Sequence, residues 1–310
     1  MRDRGTLPTL LQGQTLIVGL GLMGASLAKG IKDLSASAWV VGLDRKEQPI
    51  LRGLEEKVLD QGAVLSVQED SVRSLIRGAA LIVLSMYPDG ILDFVSRYRQ
   101  VFSEGTVLTD ICGLKGFFLD EAQRMLPEGV EFIGTHPMAG KEKSGYEYAN
   151  GEIFLGANFI ITPTQRNRRE TIDQVRAMAR ELGFGRIREV EPREHDEVIA
   201  YTSHMPHVLA AALVNSWMGT EDVSSFAGGS FRDVTRVADI NSALWAQLFC
   251  YNSQALGGEL RRFSKTLDEL AELVEQRDRP QIEAFLARAS ERKERWNREG
   301  DRYDDGSRTH

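Results

Sequence analysis

Apolar residues fall into two rhythms along this 310-residue chain. In the first part, short runs rich in Val, Ile and Leu recur: Thr15-Leu-Ile-Val-Gly, Trp39-Val-Val-Gly-Leu, Ala80-Leu-Ile-Val-Leu-Ser, Thr106-Val-Leu-Thr, Glu131-Phe-Ile-Gly and Asn158-Phe-Ile-Ile-Thr. Such near-continuous apolar runs of strand length predict strands buried on both faces. Helical stretches lie between most of them, for example Arg73–Arg77 and Gly116–Met125. Strand and helix in alternation predict a parallel sheet covered on both sides. Thr171–Leu182 is amphipathic, with Ile172, Val175, Met178, Ala179 and Leu182 on one face, and leads through Gly183 and Gly185 to a short strand at Arg186–Val190.

After Glu191-Pro192 the rhythm becomes helical, interrupted near Gly219, Gly228-Gly229, Gly257-Gly258 and Pro280. Val208-Leu-Ala-Ala-Ala-Leu-Val214 is apolar nearly all round and predicts a buried helix. Trp245–Tyr251, Leu260–Val274 and a stripe of Ile282, Phe285, Leu286 and Ala289 supply further helices. The expected division is an α/β domain over residues 13–191, an all-α domain over 192–299 and a polar, disordered tail over 300–310. The helices carry more apolar face than one small bundle needs, so a homodimer through the helical domain is expected.

Composition narrows the function classes. Hydrophobic residues make up 42% of the chain, enough for sizeable cores, and the net charge of −7 argues against a uniformly basic surface for nucleic acid. Cys112 and Cys250 are the two cysteines, far apart and outside metal-ligand spacing, which fits a reducing compartment. The start, Met1-Arg-Asp-Arg-Gly-Thr, has no apolar signal-peptide core, and the longest apolar runs are too short to span a bilayer. A cytoplasmic protein with neither membrane nor nucleic-acid partner is expected.

The first strand runs straight into Gly19-Leu20-Gly21-Leu22-Met23-Gly24, and Ala25–Ile31 then reads as the start of a helix. This is the Rossmann-type dinucleotide fingerprint: Gly19 for the tight turn, Gly21 for close approach to a pyrophosphate, Gly24 for helix–strand packing. The helix N-terminus offers unpaired N–H groups to the phosphates. Asp44 ends the second strand, where a carboxylate can accept from both adenine-ribose hydroxyls and would repel a 2′-phosphate. That favours NAD, while Arg45 next to it leaves NADP open.

A second segment, Gly134-Thr-His-Pro-Met-Ala-Gly-Lys-Glu-Lys-Ser-Gly145, holds a candidate base, His136. Imidazole, with an ordinary pKa of about 6.5, suits proton abstraction near neutrality. A lone histidine after a strand can equally be structural. The segment resembles the signature of the prephenate and arogenate dehydrogenases of tyrosine biosynthesis. Thr109-Asp-Ile-Cys-Gly-Leu-Lys115, Ser203-His-Met-Pro-His207 and Gly228-Gly-Ser-Phe-Arg-Asp-Val-Thr-Arg-Val-Ala238, with Trp245 beyond, resemble further segments of that family, in the same order over roughly residues 13–295.

The resemblance implies oxidation of a ring carbinol with loss of the ring carboxylate as CO2. Prephenate would give 4-hydroxyphenylpyruvate, and arogenate would give tyrosine. It implies His136 as catalytic histidine, His207 as a histidine that orients the substrate, and Arg236 as the arginine that holds a substrate carboxylate, for which a guanidinium fork is suited. Arg232 and His204 are neighbouring candidates, Trp245 walls the pocket or is plain core, and Lys141 faces the pocket or solvent. His204 and His207 also form an H-x-x-H pair, but no cysteine or carboxylate in motif spacing completes a zinc site, and no metal is expected.

Two departures from the family's pattern stand out. Its loop often reads Gly-Ser-x-Lys, with a serine that assists the histidine, whereas here the loop is Cys112-Gly113-Leu114-Lys115. Lys141 stands where many members carry threonine. Two rivals remain. β-Hydroxyacid dehydrogenases use a lysine base on an interdomain helix, but there is no lysine between Lys143 and Lys265. A catalytically silent dinucleotide sensor would fit the missing serine but not the retained His136, His207 and Arg236. Some relatives carry a mutase or ligand-sensing domain for which this chain leaves no room, so a monofunctional enzyme is expected.

Overall fold

The computed structural model describes residues 7–140, 143 and 145–306. The apolar runs form one sheet: β1 (Gln14–Val18), β2 (Val40–Asp44), β3 (Gln61–Val64), β4 (Ala79–Leu84), β5 (Val107–Asp110), β6 (Glu131–Met138), β7 (Asn158–Thr162) and β8 (Ile187–Glu189), in spatial order 3-2-1-4-5-6-7-8. Pairings from β3 through to β6 are parallel. β7 departs from the expected all-parallel sheet: it runs antiparallel to β6, with Gly134 opposite Thr162 and His136 opposite Ile160. Among its described residues the link from β6 to β7 carries two 3-10 turns, Tyr146–Tyr148 and Gly151–Phe154, and no crossover α-helix of the kind a parallel return would need.

The helices are α1 (Thr9–Gln12), α2 (Leu22–Leu34), α3 (Glu47–Glu55), α4 (Glu69–Arg77), α5 (Pro88–Tyr98), α6 (Leu119–Met125), α7 (Arg169–Glu181), α8 (Pro192–Ile199), α9 (Met205–Asn215), α10 (Gly229–Thr235), α11 (Ser242–Tyr251), α12 (Ser253–Glu275) and α13 (Arg279–Gly306). Two apolar clusters lie on the sheet. One gathers Ile17, Ala28, Ile31, Leu81, Val175 and Met178; the other Leu16, Val41, Ile82, Phe94, Leu108 and Phe118. Successive residues of β1 therefore feed opposite faces, which is why the strand had to be apolar throughout.

Two compact units result. The first runs through Ile199 and takes back Asp239–Tyr251; the second comprises Ala200–Ala238 and the chain from Asn252 onward. The return of α11 differs from the division read from the sequence. Leu248 is buried in the second sheet cluster, with Leu244 and Trp245 packed against it. The Tyr251 hydroxyl donates to Asp89, its ring stacks on Phe117 at 4.1 Å, and Asn241 Nδ2 donates to the Tyr87 hydroxyl at 2.8 Å. α13 continues to Gly306, so residues 300–306 are helical where a disordered tail was expected. α9 is not buried all round: Leu213 and Val214 on its C-terminal half are exposed. Among the described residues no helix is long and apolar enough to cross a membrane.

One polar anchor sits at the start of β6. The buried Glu131 carboxylate accepts from Thr171 Oγ1 (2.7 Å), Arg168 N (2.8 Å) and Arg168 Nε (2.7 Å). Burial pushes its pKa up, but these donors outweigh burial and hold it below the usual carboxylate value. Arg168 is largely exposed, so its charge is screened and the hydroxyl and amide carry most of the effect. A depressed folded-state pKa stabilises above the unfolded value of about 4.3 and is lost as pH falls through the folded one. Glu131→Gln is therefore expected to flatten the fall in melting temperature below about pH 4.5, as read from thermal scans at stepped pH.

Candidate active site

The C-terminal ends of β1, β4 and β5 lie at one edge of the sheet, and β6 extends past it. β6 pairs with β5 over Glu131–Ile133 and with β7 over Gly134–Met138. The loops after the strands converge here, the usual binding edge of a doubly wound sheet.

The glycine loop meets the demands read from its spacing. Gly19 has φ +95°, and a Cβ on it would lie 2.0 Å from the Ser85 carbonyl oxygen at the end of β4. A Cβ on Gly24 would lie 2.0 Å from the Gly19 carbonyl oxygen and 2.9 Å from Ser85 Oγ. At Gly21 a Cβ would meet nothing within 4 Å, so the backbone there borders open space. The loop thus has the cradle a pyrophosphate needs. Leu20 and Leu22 are buried and Met23 packs against the first cluster, so these three contribute through backbone and support. Asp44 accepts from Leu20 N through Oδ2 and from Lys46 N through Oδ1, both at 2.8 Å, which fixes the carboxylate beside the loop. Arg45 is exposed next to it. Gly24→Ala is expected to destabilise by about 1–3 kcal/mol, because backbone must shift to admit the methyl. Thermal unfolding checks this.

The loop after β5 is curled around a buried ammonium. Lys115 and Asp110 are both wholly inaccessible and ion-paired. Lys115 Nζ also donates to the Cys112 carbonyl at 2.7 Å, and Asp110 accepts from Cys112 N at 2.8 Å and Thr135 N at 3.2 Å. Burial pushes the Asp110 carboxyl up, against the pull of the Lys115 charge and the two amides. The Cys112 thiol is driven by burial to about 12 and is inert. The curl brings Gly113 against His136: a Cβ there would lie 4.0 Å from His136 Cε1 and Nε2 and 3.7 Å from Leu248 Cδ2.

His136 is half-buried on the tail of β6. Its Nδ1 lies 3.0 Å from Nε2 of His195, a residue of α8 that is 3% exposed. His195 Nδ1 in turn lies 2.7 Å from Asp196 Oδ1. The Asp196 carboxylate accepts from Lys115 N (2.9 Å) and Gly116 N (2.7 Å), the end of the same curled loop. Burial, foremost, pulls the His195 pKa down, with the Lys115 charge adding to it, against the opposing effect of Asp196. His195 and Asp196 were not among the residues singled out from the sequence. His195 lies 59 positions from His136 in the chain, with Asp196 next to it, and no local spacing flags either.

Of the other candidates, Trp245 belongs to the first unit, three residues before Leu248 and hence on the same helix face, edge-on to Phe249 at 5.5 Å. His204, His207, Arg232 and Arg236 belong to the second unit. His204 is buried in the π-helical turn Ala200–His204. His207 Nδ1 donates to the Ser203 carbonyl at 2.8 Å, which assigns that nitrogen the proton. Arg232 and Arg236 are exposed and four residues apart, across α10 and the 3-10 turn Arg236–Ala238. Lys141 and Glu142 lie outside the described residues, while Lys143 stands 4.8 Å over the Tyr148 ring. Among the described residues no three His, Cys, Asp or Glu side chains are grouped as a metal site.

Comparison with known proteins adds to this geometry. A family model described as the prephenate dehydrogenase nucleotide-binding domain matches residues 27–187, and one described as the prephenate dehydrogenase dimerization domain matches residues 191–288. The prephenate dehydrogenase of Bacillus subtilis is 30% identical over 281 residues, covering 89% of this chain and 74% of that protein. The crystal structure of prephenate dehydrogenase from A. aeolicus in complex with hydroxyphenyl propionate and NAD+ is similar with a TM-score of 0.84 at 26% identity, over 91% of this chain and 98% of the other. A Synechocystis arogenate dehydrogenase structure has a TM-score of 0.77 at 26% identity, over 91% and 99%.

Proposed function

The chain belongs to the prephenate dehydrogenase family, and from that premise we propose that it catalyses the NAD-dependent oxidative decarboxylation of prephenate to 4-hydroxyphenylpyruvate. The observation that carries the reading is a histidine, in contact through Nδ1 with His195 at 3.0 Å, at the sheet edge that also bears the dinucleotide cradle. When bound, the oxidised nicotinamide supplies the hydride acceptor. Gly19, Gly21 and Gly24 would hold its pyrophosphate and Asp44 its adenine ribose; Asp44's charge supports NAD over NADP.

His136 takes the ring hydroxyl proton as the carbinol hydrogen leaves, so that a carbonyl forms without a free alkoxide. Loss of the ring carboxylate as CO2 then aromatises the ring. Arg236, with Arg232 beside it, is proposed to hold a substrate carboxylate, and His207, held through Nδ1 on the Ser203 carbonyl, to orient the substrate. These roles, and that of His204, rest on the motif resemblance. Leu248 lies against Gly113, which supports Trp245, on the same helix face, as a pocket wall. Initial rates for prephenate and arogenate, each with NAD+ and NADP+, test the reading. Prephenate with NAD+ is expected to be fastest. Preference for arogenate would move the substrate assignment, and NAD+ binding without turnover of either would make the chain a sensor.

The protein is further proposed to act as a homodimer through its second unit. Trp217, Met218 and Phe226 are 56%, 91% and 82% exposed there, a concentration of large apolar side chains that asks for cover. The match to the dimerization-domain model supports a second copy as that cover. Light scattering behind size exclusion should give twice the chain mass.

A further inference from the structure

We propose that His195 and Asp196 are positioning residues that hold neutral His136 as the tautomer with its proton on Nδ1 and its lone pair on Nε2, in a chain whose facing loop position, Gly113, has no side chain to orient the ring. The inference rests on the reading of His136 as the base. It follows from counting donors and acceptors. The Asp196 carboxylate can only accept, and its oxygens already receive Lys115 N and Gly116 N. Its contact with His195 Nδ1 at 2.7 Å therefore requires a proton on that nitrogen. A neutral His195 then carries its lone pair on Nε2, and the 3.0 Å contact to His136 Nδ1 requires a proton there. Neutral His136 must in turn carry its lone pair on Nε2, the nitrogen on the Gly113 side.

The chain of assignments depends on His195 being neutral. With both its nitrogens protonated, His195 would force His136 Nδ1 to accept, put the proton on Nε2 and remove the base. Burial settles this: His195 is 3% exposed and its pKa is pulled down, despite Asp196. The same burial makes His195 a poor store for a proton, so its part is to orient rather than to relay. The seat of Asp196 is itself built. A Cβ on Gly116 would come within 2.9 Å of Asp196 Oδ2, so a glycine clears the space, and the loop that supplies both amides is the one wound around Lys115. In water neutral imidazole prefers the proton on Nε2. The protein therefore inverts the default.

The test is 15N NMR of histidine-labelled full-length protein near pH 8, with the His136 ring identified by its loss in His136→Asn. The wild-type ring should report the proton on Nδ1. In His195→Leu it should move towards the Nε2 form. His195→Gln, whose amide can accept from His136 and donate to Asp196, should restore it. In steady state with prephenate and NAD+, His195→Leu and Asp196→Ala should lose kcat by on the order of 100-fold, with KM within about threefold and NAD+ affinity unchanged. His195→Gln should recover to within about tenfold of wild type. A merely structural role would not produce this split or this rescue. A wild-type His136 ring protonated on Nε2 overturns the proposal, and that spectrum decides even if His195→Leu does not fold. Failure of the wild type to oxidise either substrate would instead overturn the functional reading and leave the tautomer measurement standing.

Discussion

Replacing His136 by asparagine should lower kcat for prephenate by about 100- to 10,000-fold, the usual contribution of a positioned general base. Asparagine is the informative substitution. Its amide can still donate to His195 Nε2, as the imidazole Nδ1 does at 3.0 Å, so the buried His195–Asp196 pair keeps its partner. What is lost is the lone pair that faced Gly113. NAD+ affinity should stay within about twofold, because the glycine loop and Asp44 are untouched, and the effect should fall on kcat rather than KM. A melting temperature close to wild type would show that the fold is intact. Retention of turnover within a few-fold of wild type would mean that another group takes the hydroxyl proton, and would remove the base from the mechanism.

The parts of this site that could be read from the sequence are those whose chemistry forces a local spacing. Three glycines each relieve a contact of the backbone with itself or with Ser85, or leave room for a ligand, and they must recur at fixed offsets. Asp44 sits at the end of a strand that the apolar run already announces. The rest was set by distant contacts. His195 reaches His136 only because β6 runs past the end of β5 while α8 returns to the same edge. β3 was not anticipated because Gln61–Val64 is short and half-exposed at the sheet's edge, where burial imposes little pattern. α11 is apolar on more than one side, and nothing local decides which unit it covers. A run of apolar residues identifies a buried helix; it does not identify what buries it.

Lys115 closes a loop that the sequence marks only as a motif position, its burial and pairing are invisible without the fold, and its loss should be the largest single effect on stability. Lysines are almost never fully buried unless paired, yet this one is wholly inaccessible. Lys115→Met is expected to cost about 3–5 kcal/mol, the typical consequence of removing one partner of a buried ion pair. The methionine fills the space of the stem, so the cost is electrostatic: Asp110 keeps only the amides of Cys112 and Thr135 against its burial, and its carboxyl must take up a proton. The melting temperature should fall by about 6–20 °C. Asp110→Asn added to Lys115→Met should recover part of that loss, because a neutral amide oxygen still accepts from one amide and no charge remains to be buried. Full additivity of the two losses in thermal unfolding would show that the side chains are not coupled. Turnover should also fall in Lys115→Met even well below its melting temperature. The ammonium holds the Cys112 carbonyl, and with it the curl that faces Gly113 to His136 and aims two amides at Asp196. The pair thus acts at a distance of one loop: it stabilises the turn, the turn seats Asp196, and Asp196 sets the histidine.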